Sequence, residues 1–405
     1  MRIAYFLSAF PSTSETFVLN QIAGVMKAGH EVDIHAYHIA GFAHHPALET
    51  PGLLDLVHYH PRLPANKLAR LLKSFFLIFG MLLTDTERCL RLFGYAKKIR
   101  FNAWLELFFL AWTLRGGRDY DVIHAHFGPN GLMAVRLRQA GFLQGNIVTS
   151  FHGFDANVVP NVLGKGYYRE LFMQGDAFVV SSLFIKQKLL NLGCEEGMIK
   201  RIPVGVDVGM WHFKKRAGWQ GSAPVLLSVG RLVEVKGFAY AIAAVAKVRR
   251  VFADVQYHLV GDGNLKSDLL EQVKRVGLED CVYFLGKKNQ SELDVLYQQA
   301  DVFVMSSIKA EDGAEEGQGM VLFEAQAAGL PVVACDTGGI AESLPKGALF
   351  VPEKDSDALA KAMIAQLKEL RKQGYDGSAG RNFVQENFAI DRLNQKTLQL
   401  YQSLT

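Results

Sequence analysis

Short apolar runs rich in β-branched and aromatic residues alternate with helical patterns along this chain of 405 residues. Such runs are typical of strands buried on both faces of a parallel sheet, and the amphipathic patterns between them predict the covering helices. The alternation therefore predicts an α/β fold. The predicted strands are Ile3–Leu7, Glu31–Ala36, Val122–His126, Ile147–Phe151, Ala177–Val180, Val225–Val229, Gln256–Val260, Val282–Leu285, Val302–Met305 and Val332–Ala334. The helical patterns include Thr16–Lys27, Ala239–Val251, Leu265–Val276 and Gln290–Gln299.

The alternation divides into two units, because the chain is longer than a single hydrophobic core usually organises. We predict a Rossmann-like domain over residues 1–205, a second over 223–387, and a C-terminal helix at 388–405 that packs back on the first. The stretch PVGVDVGMWHFKKRAGWQGSAP between them is polar and contains glycine, as a connector would. Two doubly wound domains that face each other place a ligand at the carboxyl ends of their strands.

Composition narrows the classes of partner and compartment. The net charge of +4 is too small to indicate a nucleic-acid partner, so none is predicted. The N-terminus reads as a first buried strand rather than a signal peptide, and no apolar segment approaches the roughly 20 residues of a spanning helix. Scattered cysteines argue against zinc or disulfides and favour a reducing, cytoplasmic location. They are Cys89, Cys194, Cys281 and Cys335.

Two carboxylates, Glu316 and Glu324, flank a glycine-rich turn and the start of a predicted helix in EEGQGMVLFEAQAAGLPVVA. Their spacing is a little over two helical turns, which places Glu324 in the helix and Glu316 in the loop before it. The amides from Gln318 to Val321 then lie at the helix N-terminus, where they favour an anion. A phosphate between two hydroxyl-binding carboxylates fits a sugar nucleotide. The alternative is that Glu316 is a solvated loop charge and Glu324 only decorates a helix.

Further motifs follow the predicted strands of the second unit. Arg231 offers a fork of donors and Lys236 a point charge, a combination suited to a diphosphate. The turn Gly261-Asp262-Gly263 would let a ligand approach the backbone closely. Each motif alone is weak, because GxG turns are common and Arg/Lys pairs are usually solvated.

Histidines follow two predicted strands of the first unit, in VIHAHFGPNG and SFHGFD. His126 ends one of these strands, whereas His152 and Asp155 follow the next. A strand-end histidine is more often a hydrogen-bonded structural residue than a ligand of substrate.

Taken in this order and spacing, SFHGFD, SVGRLVEVKG, LVGDG, ADVFVMSS and EGQGMVLFEAQAAGLPVVACDTGGIAE resemble glycosyltransferase family 4. FPSTSETFVLNQI and VIHAHFGPNG resemble more narrowly its exopolysaccharide-cluster members, including colanic-acid glycosyltransferases. The resemblance covers nearly the whole chain and is weakest from about residue 40 to 118. It implies a GT-B fold, with two Rossmann-like domains facing a central cleft, and a retaining enzyme that uses a nucleotide-diphosphate sugar and no cofactor.

The resemblance also implies roles for single residues. Arg231 and Lys236 would hold the donor diphosphate and neutralise the charge that develops as it leaves. Glu316 would orient the transferred sugar, His152 would approach that sugar from the first domain, and Glu324 would bind the ribose hydroxyls. The predicted catalytic residues are His152, Arg231, Lys236 and Glu316. The predicted donor site comprises Arg231, Lys236, Gly261, Gly263, Glu316, Gln318, Gly319, Met320, Val321 and Glu324.

Where many family members have a Gly-Gly loop after the first strand, this chain has STSET, residues 12–16. These side chains could bind donor phosphate or acceptor, or they could cap the following helix. Val204 stands where the family usually has Asn. The predicted acceptor or first-domain cleft residues are Ser14, Glu15, Thr16, His126 and Asp155.

No metal site is predicted. The Asp355-Ser356-Asp357 motif precedes the helical run ALAKAMIAQL and reads as a helix N-terminus. A GT-B enzyme can use Arg and Lys where other glycosyltransferases use a divalent ion.

The stretch from Arg62 to Arg118 carries eleven Lys or Arg and only three acidic residues. Within it, LARLLKSFFLIFGMLL and FNAWLELFFLAWTL combine apolar bulk with basic flanks. Such segments can lie in the interface of an anionic bilayer, here the inner membrane. The alternative is that both are buried helices of the first domain.

The sequence thus predicts a retaining glycosyltransferase of exopolysaccharide biosynthesis with a lipid-linked or oligosaccharide acceptor at the cytoplasmic face of the inner membrane. The alternatives are a GT-B sugar-nucleotide epimerase, which needs no basic amphipathic segment, and a non-catalytic sugar-nucleotide-binding subunit. A non-catalytic subunit of this kind would be expected to lack at least one of the residues Arg231, Lys236, Glu316 and Glu324.

Overall fold

The computed structural model describes residues 1–12, 15–40, 46–95, 99–218 and 223–405, and these residues form two parallel sheets. The predicted α/β fold is confirmed. The first sheet has the order β3-β2-β1-β4-β5-β6-β7. Its strands are β1 (Arg2–Leu7), β2 (Glu31–Ala36), β3 (Val57–Tyr59), β4 (Arg118–His126), β5 (Leu143–Phe151), β6 (Ala177–Val180) and β7 (Ile199–Arg201). Its helices are α1 (Thr16–Lys27), α2 (Lys67–Thr84), α3 (Thr86–Phe93), α4 (Phe101–Thr113), α5 (Gly128–Gln139), α6 (Phe154–Asn157), α7 (Val159–Leu163), α8 (Arg169–Gln174) and α9 (Leu183–Asn191).

The second sheet has the order β10-β9-β8-β11-β12-β13. Its strands are β8 (Val225–Val229), β9 (Gln256–Val260), β10 (Val282–Gly286), β11 (Val302–Met305), β12 (Val332–Asp336) and β13 (Phe350–Pro352). The remaining helices are α10 (Phe238–Val248), α11 (Lys266–Arg275), α12 (Gln290–Gln299), α13 (Met320–Ala327), α14 (Ser356–Gln373), α15 (Ser378–Phe388) and α16 (Ile390–Leu404). Short 3-10 turns lie at Pro46–Glu49, Leu54–Leu56, Glu196–Met198, Val208–Met210, Glu234–Lys236 and Ile340–Ser343.

Both sheets reverse their strand order once, between β1 and β4 and between β8 and β11. In register, Tyr5 of β1 pairs with His124 of β4, and Leu226 of β8 pairs with Val302 of β11. The loops on either side of such a reversal diverge and leave a crevice at the carboxyl ends of the strands. The loops after β4, β8 and β11 carry the histidine, Arg/Lys and carboxylate motifs, so the topology collects these motifs at two facing crevices.

Each sheet is covered on both faces. One face of the first sheet packs against α4 and α5 through Phe108 and Leu132, and the other packs against α1 and α16 through Leu19 and Tyr401. Burying each such side chain contributes about 1.5–3 kcal/mol. Several helices begin at side-chain caps, such as the Asn289–Glu292 capping box of α12. Asn66, whose side chain accepts from the N–H groups of Leu68 and Ala69, does the same for α2.

Residues 206–218 pack into the second domain, although their sequence reads as a connector. Val206, Val208 and Trp211 are buried in its core. Buried Arg216 donates to the backbone carbonyls of Lys214, Tyr297, Ala300, Ala328 and Gly329 at 2.7–3.2 Å. Burial lowers the pKa of Arg216 to about 10, so its guanidinium stays charged at neutral pH. The backbone of this segment is irregular, so its sequence shows neither strand nor helix periodicity. The buried guanidinium of Arg216 holds it against the second domain.

The chain crosses between the domains at two adjacent places, residues 202–206 and 388–390, which we call the interdomain connection. The Val206 N–H donates to Phe388 O at 2.9 Å, and the Ile390 N–H donates to Val206 O at 3.0 Å. Beyond this point α16 packs on α1, where Gln21 donates to Thr397 Oγ1 at 3.3 Å. The C-terminal helix therefore belongs structurally to the first domain.

The two apolar segments of the basic stretch have different environments. Six of the thirteen residues of α4 are buried, including Leu107, Phe108 and Phe109, as the buried-helix alternative predicts. In contrast, α2 exposes one whole apolar face, with Phe76 69% exposed. That face comprises Leu68, Leu71, Leu72, Phe75, Phe76, Phe79 and Leu83. Over the described ranges, no helix combines the length and apolar character needed to cross a bilayer.

We predict that Arg216→Met lowers the free energy of unfolding by at least about 3 kcal/mol, because it leaves buried carbonyls without donors. Lys215→Met is the matched control, since the Lys215 side chain forms an exposed ion pair with Asp376 and its loss should change stability by less than about 1 kcal/mol. Urea unfolding followed by circular dichroism measures both. Equal effects of the two substitutions would contradict the role given to Arg216.

Candidate functional site

A buried ion pair lies at the carboxyl end of the second sheet. Lys236 Nζ is 2.6 Å from Glu316 Oε1, and their side chains are only 17% and 12% exposed. Lys236 ends the turn after β8, and its carbonyl accepts from Ser306 Oγ just after β11 at 2.9 Å. Ser307 Oγ lies 3.4 Å from the same Glu316 oxygen. The pair therefore joins the loops of β8 and β11 and places one cation and one carboxylate at the switch point of the sheet.

Arg231 projects from the turn after β8 into solvent, and its guanidinium has no partner among the described residues. The predicted glycines support this turn. Gly261 has φ +137°, and a Cβ there would lie 1.8 Å from Gly230 O, whereas one on Gly263 would lie 2.3 Å from Leu232 O. These glycines are predicted to admit a ligand. In the structure, a side chain at either position would point at the neighbouring Gly230–Leu232 turn. Their role in this structure is to let the Gly230–Leu232 backbone pack closely.

The N-terminus of α13 presents free amides. Gly319 caps the helix with φ +80°, a conformation that favours glycine. In the described part of the chain, the N–H groups of Met320 and Val321 bond to no other group. They are available to an anion, and they belong to the run of backbone amides from Gln318 to Val321 for which an anion is predicted. The side chain of Gln318 turns away from this helix end and bonds the backbone of Val204.

Glu324 lies inside α13, where Tyr297 of α12 donates its hydroxyl to Glu324 Oε2 at 2.8 Å. Burial raises the pKa of the Glu324 carboxyl to about 7, and the Tyr297 hydrogen bond opposes this shift. The side chain is half-buried, so one edge of the carboxylate can still accept a hydrogen bond from a ligand hydroxyl.

On the facing domain, His126 and His152 form a stacked pair with His126 Nδ1 3.0 Å from His152 Nε2. Phe17 and Phe127 pack against the His152 ring. Burial lowers the pKa of His152 to about 3, and it holds the pKa of His126 well below its usual range. Both imidazoles are therefore neutral near pH 7, and one donates to the other.

Asp155 is a buried backbone anchor. Its Oδ1 accepts from the N–H groups of His152 and Gly153 at 3.0 Å, and its Oδ2 accepts from Gly128 at 2.9 Å. Burial raises the pKa of Asp155, while these hydrogen bonds lower it. All three bonds bind the loops after β4 and β5 together, so Asp155 positions His152 and does not reach toward an acceptor.

Glu15 precedes α1 and is half-buried, yet within the described ranges its side chain makes no capping hydrogen bond. Burial raises the pKa of its carboxyl to about 7. Thr16 is the first residue of α1, and predicted Ser14 lies outside the described residues. The capping alternative therefore does not describe Glu15, whose carboxyl stays available to another group.

Contacts between the domains were not predicted. Residues 315–319, which we call the carboxylate loop, touch the first domain through Lys188 Nζ, 2.8 Å from Glu315 Oε2. A Cβ on Gly317 would lie 2.3 Å from His152 O, so His152 is adjacent to this loop. Nearby, Glu342 accepts from the Leu183 and Phe184 N–H groups at the start of α9 and pairs with Arg201 at 2.8 Å. Lys188 and Arg201 lie in none of the sequence motifs, and only the tertiary fold brings them to these loops.

The Asp355 motif is a helix cap, as predicted. Asp355 Oδ1 accepts from the N–H groups of Asp357 and Ala358 at 2.9 and 2.8 Å, at the start of α14. Among the described residues, no group of three or more His, Cys, Asp or Glu is arranged to hold a metal ion.

Comparisons with known proteins agree with this geometry. The profile "Glycosyltransferase Family 4" matches residues 85–209, and "Glycosyl transferases group 1" matches residues 210–382. The chain is 32% identical to WcaL of Salmonella typhimurium, named as a colanic acid biosynthesis glycosyltransferase, with 100% of both chains covered. It is 31% identical to AmsK of Erwinia amylovora, named as an amylovoran biosynthesis glycosyltransferase, with 90% of each covered. Anabaena Alr3699/HepE, solved with UDP and glucose, has a TM-score of 0.71 at 18% identity over 100% of both chains. The predicted GT-B fold and family resemblance are confirmed.

We predict that Glu324→Gln removes a pH-dependent loss of stability. The folded pKa of about 7 lies above the usual value of 4.5, so the stabilisation is complete below pH 4.5 and is lost as pH rises through 7. Wild type should therefore lose about 3 kcal/mol more than the variant between pH 4.5 and 8. Urea unfolding at both pH values tests this, with Glu271→Gln, which replaces an exposed carboxylate of α11, as a control that leaves the Glu324 contribution in place. Parallel pH profiles for wild type and Glu324→Gln would refute it.

Proposed function

Because the chain belongs to glycosyltransferase family 4, we propose that it transfers a sugar from a nucleotide-diphosphate donor to a lipid-linked or oligosaccharide acceptor, with retention of configuration. It is a glycosyltransferase of the exopolysaccharide type. The observation that carries the proposal is the Lys236–Glu316 pair beside free Arg231 and facing His152 across the carboxylate loop. This arrangement offers cations to a leaving diphosphate and polar groups to a sugar.

The donor lies along the crevice of the second domain. Arg231 and Lys236 bind its diphosphate, and the amides of Met320 and Val321 add donors and the positive helix end. The Glu324 carboxylate accepts hydrogen bonds from the ribose hydroxyls. These residues carry the phosphate charge without a divalent ion, so the reaction is metal-independent in this proposal. The solved relative HepE is described in complex with UDP-glucose, which supports a nucleotide sugar as the donor class.

The chemistry is a front-face displacement. The bond from the anomeric carbon to the β-phosphate oxygen breaks, and a bond to the acceptor oxygen forms on the same face of the sugar. The acceptor hydroxyl proton passes to the departing phosphate oxygen. Lys236 and Arg231 stabilise the negative charge on that phosphate, which is where preorganised electrostatics act most strongly. His152, neutral at working pH, orients the sugar, whereas Glu316 fixes both the sugar and Lys236.

The acceptor side faces the inner membrane. The exposed apolar face of α2 is larger than single surface hydrophobic residues explain, and Lys67, Arg70 and Lys73 lie on the same helix. An amphipathic helix with aromatic residues and basic flanks inserts shallowly into an anionic interface. We assign this face to the cytoplasmic leaflet, where a lipid-linked acceptor would lie.

Arg231→Ala and Lys236→Ala should each lower sugar transfer at least 100-fold, because each removes a cation from the leaving diphosphate. Arg231 is exposed, so its loss should change thermal stability little, whereas Lys236→Ala should also lower stability because it leaves buried Glu316 unpaired. Incorporation of labelled sugar into a butanol-extracted, lipid-linked oligosaccharide fraction measures the transfer. Lys288→Ala is the control, since the Lys288 side chain forms an ion pair with Glu292, four residues along the chain. Near wild-type turnover by Arg231→Ala or Lys236→Ala would refute the phosphate assignment.

Replacing Phe75, Phe76 and Phe79 by Ser should reduce binding to phosphatidylglycerol-containing vesicles at least tenfold, because the inserted aromatic area is lost. Cosedimentation measures the bound fraction, which should also fall with added salt for wild type. Leu349→Ser removes an exposed apolar residue of the second domain and should leave binding unchanged. If wild type did not bind such vesicles, the membrane assignment would fail and the transferase assignment would stand.

A further inference from the structure

Gln318 connects the carboxylate loop to the interdomain connection. Its side chain is buried, its Oε1 accepts from the Val204 N–H at 2.9 Å, and its Nε2 lies 3.4 Å from Val204 O. The side-chain amide thus meets both backbone groups of a residue that belongs to neither sheet. This orientation takes the Gln318 side chain away from the free amides of α13.

The residue that Gln318 holds lies where the chain passes between the domains. Val204 is followed by Gly205, where a Cβ would lie 2.9 Å from Ile390 Cα in the second crossing of the interdomain connection. Val206 then pairs with Phe388 and Ile390 through backbone hydrogen bonds. Because the two crossings are packed this closely, a change in the angle between the domains must displace Val204 relative to the second domain.

The other side of Gln318 is bound to the candidate site. Its backbone carbonyl accepts from Ser343 Oγ, and the following residues are Gly319 and the free amides of Met320 and Val321. Its preceding neighbour Gly317 lies against His152 O of the first domain. A shift of the carboxylate loop when a ligand occupies these amides therefore reaches Val204 through a single side chain.

We infer that Gln318 is a positioning residue that couples occupancy of the carboxylate loop to closure of the two domains. This inference rests on the proposed function, because the loop must bind the donor diphosphate. Two backbone hydrogen bonds held by one amide favour the closed arrangement by about tenfold, a typical magnitude for coupling between sites. Gln318 acts through Val204 and touches neither the sugar nor the phosphates.

Gln318→Met tests this role, since Met has a similar length and lacks both hydrogen bonds. Gln272→Met is the matched control, because Gln272 Nε2 donates at 2.8 Å to Ala239 O within the second domain alone. Three quantities are measured for each protein: turnover in the lipid-linked transfer assay, the Kd of UDP and of GDP by calorimetry, and the radius of gyration with and without nucleotide by X-ray scattering.

We expect turnover of Gln318→Met to fall about tenfold, with the Kd of the nucleotide raised less than threefold. The contraction that nucleotide causes in wild type should be diminished in this variant and intact in Gln272→Met. Gln318→Glu, which keeps the acceptor for the Val204 N–H, should lie between wild type and Gln318→Met in contraction.

Five results would overturn the inference. A Kd raised as much as turnover falls would make Gln318 a donor contact, and unchanged turnover in a folded Gln318→Met would remove the role altogether. Failure of both Gln318 variants to fold, or no contraction in wild type that binds nucleotide, would reduce Gln318 to a structural residue. Absence of UDP and GDP binding by wild type would instead refute the proposed function, and the inference with it.

Discussion

A lysine and a glutamate held 2.6 Å apart, largely shielded from water, organise the rest of the site. Taking two charges out of water is expensive, and a buried ion pair often contributes little net stability. Its value here is positional. Lys236 and Glu316 fix the loops after β8 and β11 in one geometry and keep a cation ready for a ligand phosphate. The glycines at 261 and 263 serve the same loops by allowing close backbone packing.

The first domain reaches this ion pair through backbone and neutral groups. Asp155 locks the His152 loop by three backbone hydrogen bonds, and that loop lies against Gly317 beside Glu316. In the proposed mechanism, a neutral His152 adds no positive charge to compete with Lys236 for the leaving phosphate. In that mechanism the second domain supplies the charged groups, and the first domain supplies neutral groups that orient the substrate. Such a division requires a defined angle between them, which the contacts at the carboxylate loop provide.

The sequence predicts the fold and the location of the site well, because strand periodicity and strand-end motifs are local signals. Strands such as Glu31–Ala36 and Gln256–Val260 match their predicted bounds, whereas β3, β7 and β13 have three residues each and are too short for periodicity. Side-chain direction was not predictable. The Gln318 side chain bonds Val204, a contact that no local signal predicts, because it depends on a chain crossing more than a hundred residues away.

Calorimetric titration with a panel of nucleotide diphosphates and their sugars, without added metal, tests the central claim most directly. The account predicts micromolar binding of one nucleotide by wild type and its loss in Glu324→Ala, since Glu324 holds the ribose. Glu271→Ala, which replaces an exposed side chain of α11, should retain that binding. If no nucleotide bound wild type, or if Glu324→Ala bound as tightly, the donor site assigned to the second domain would be contradicted.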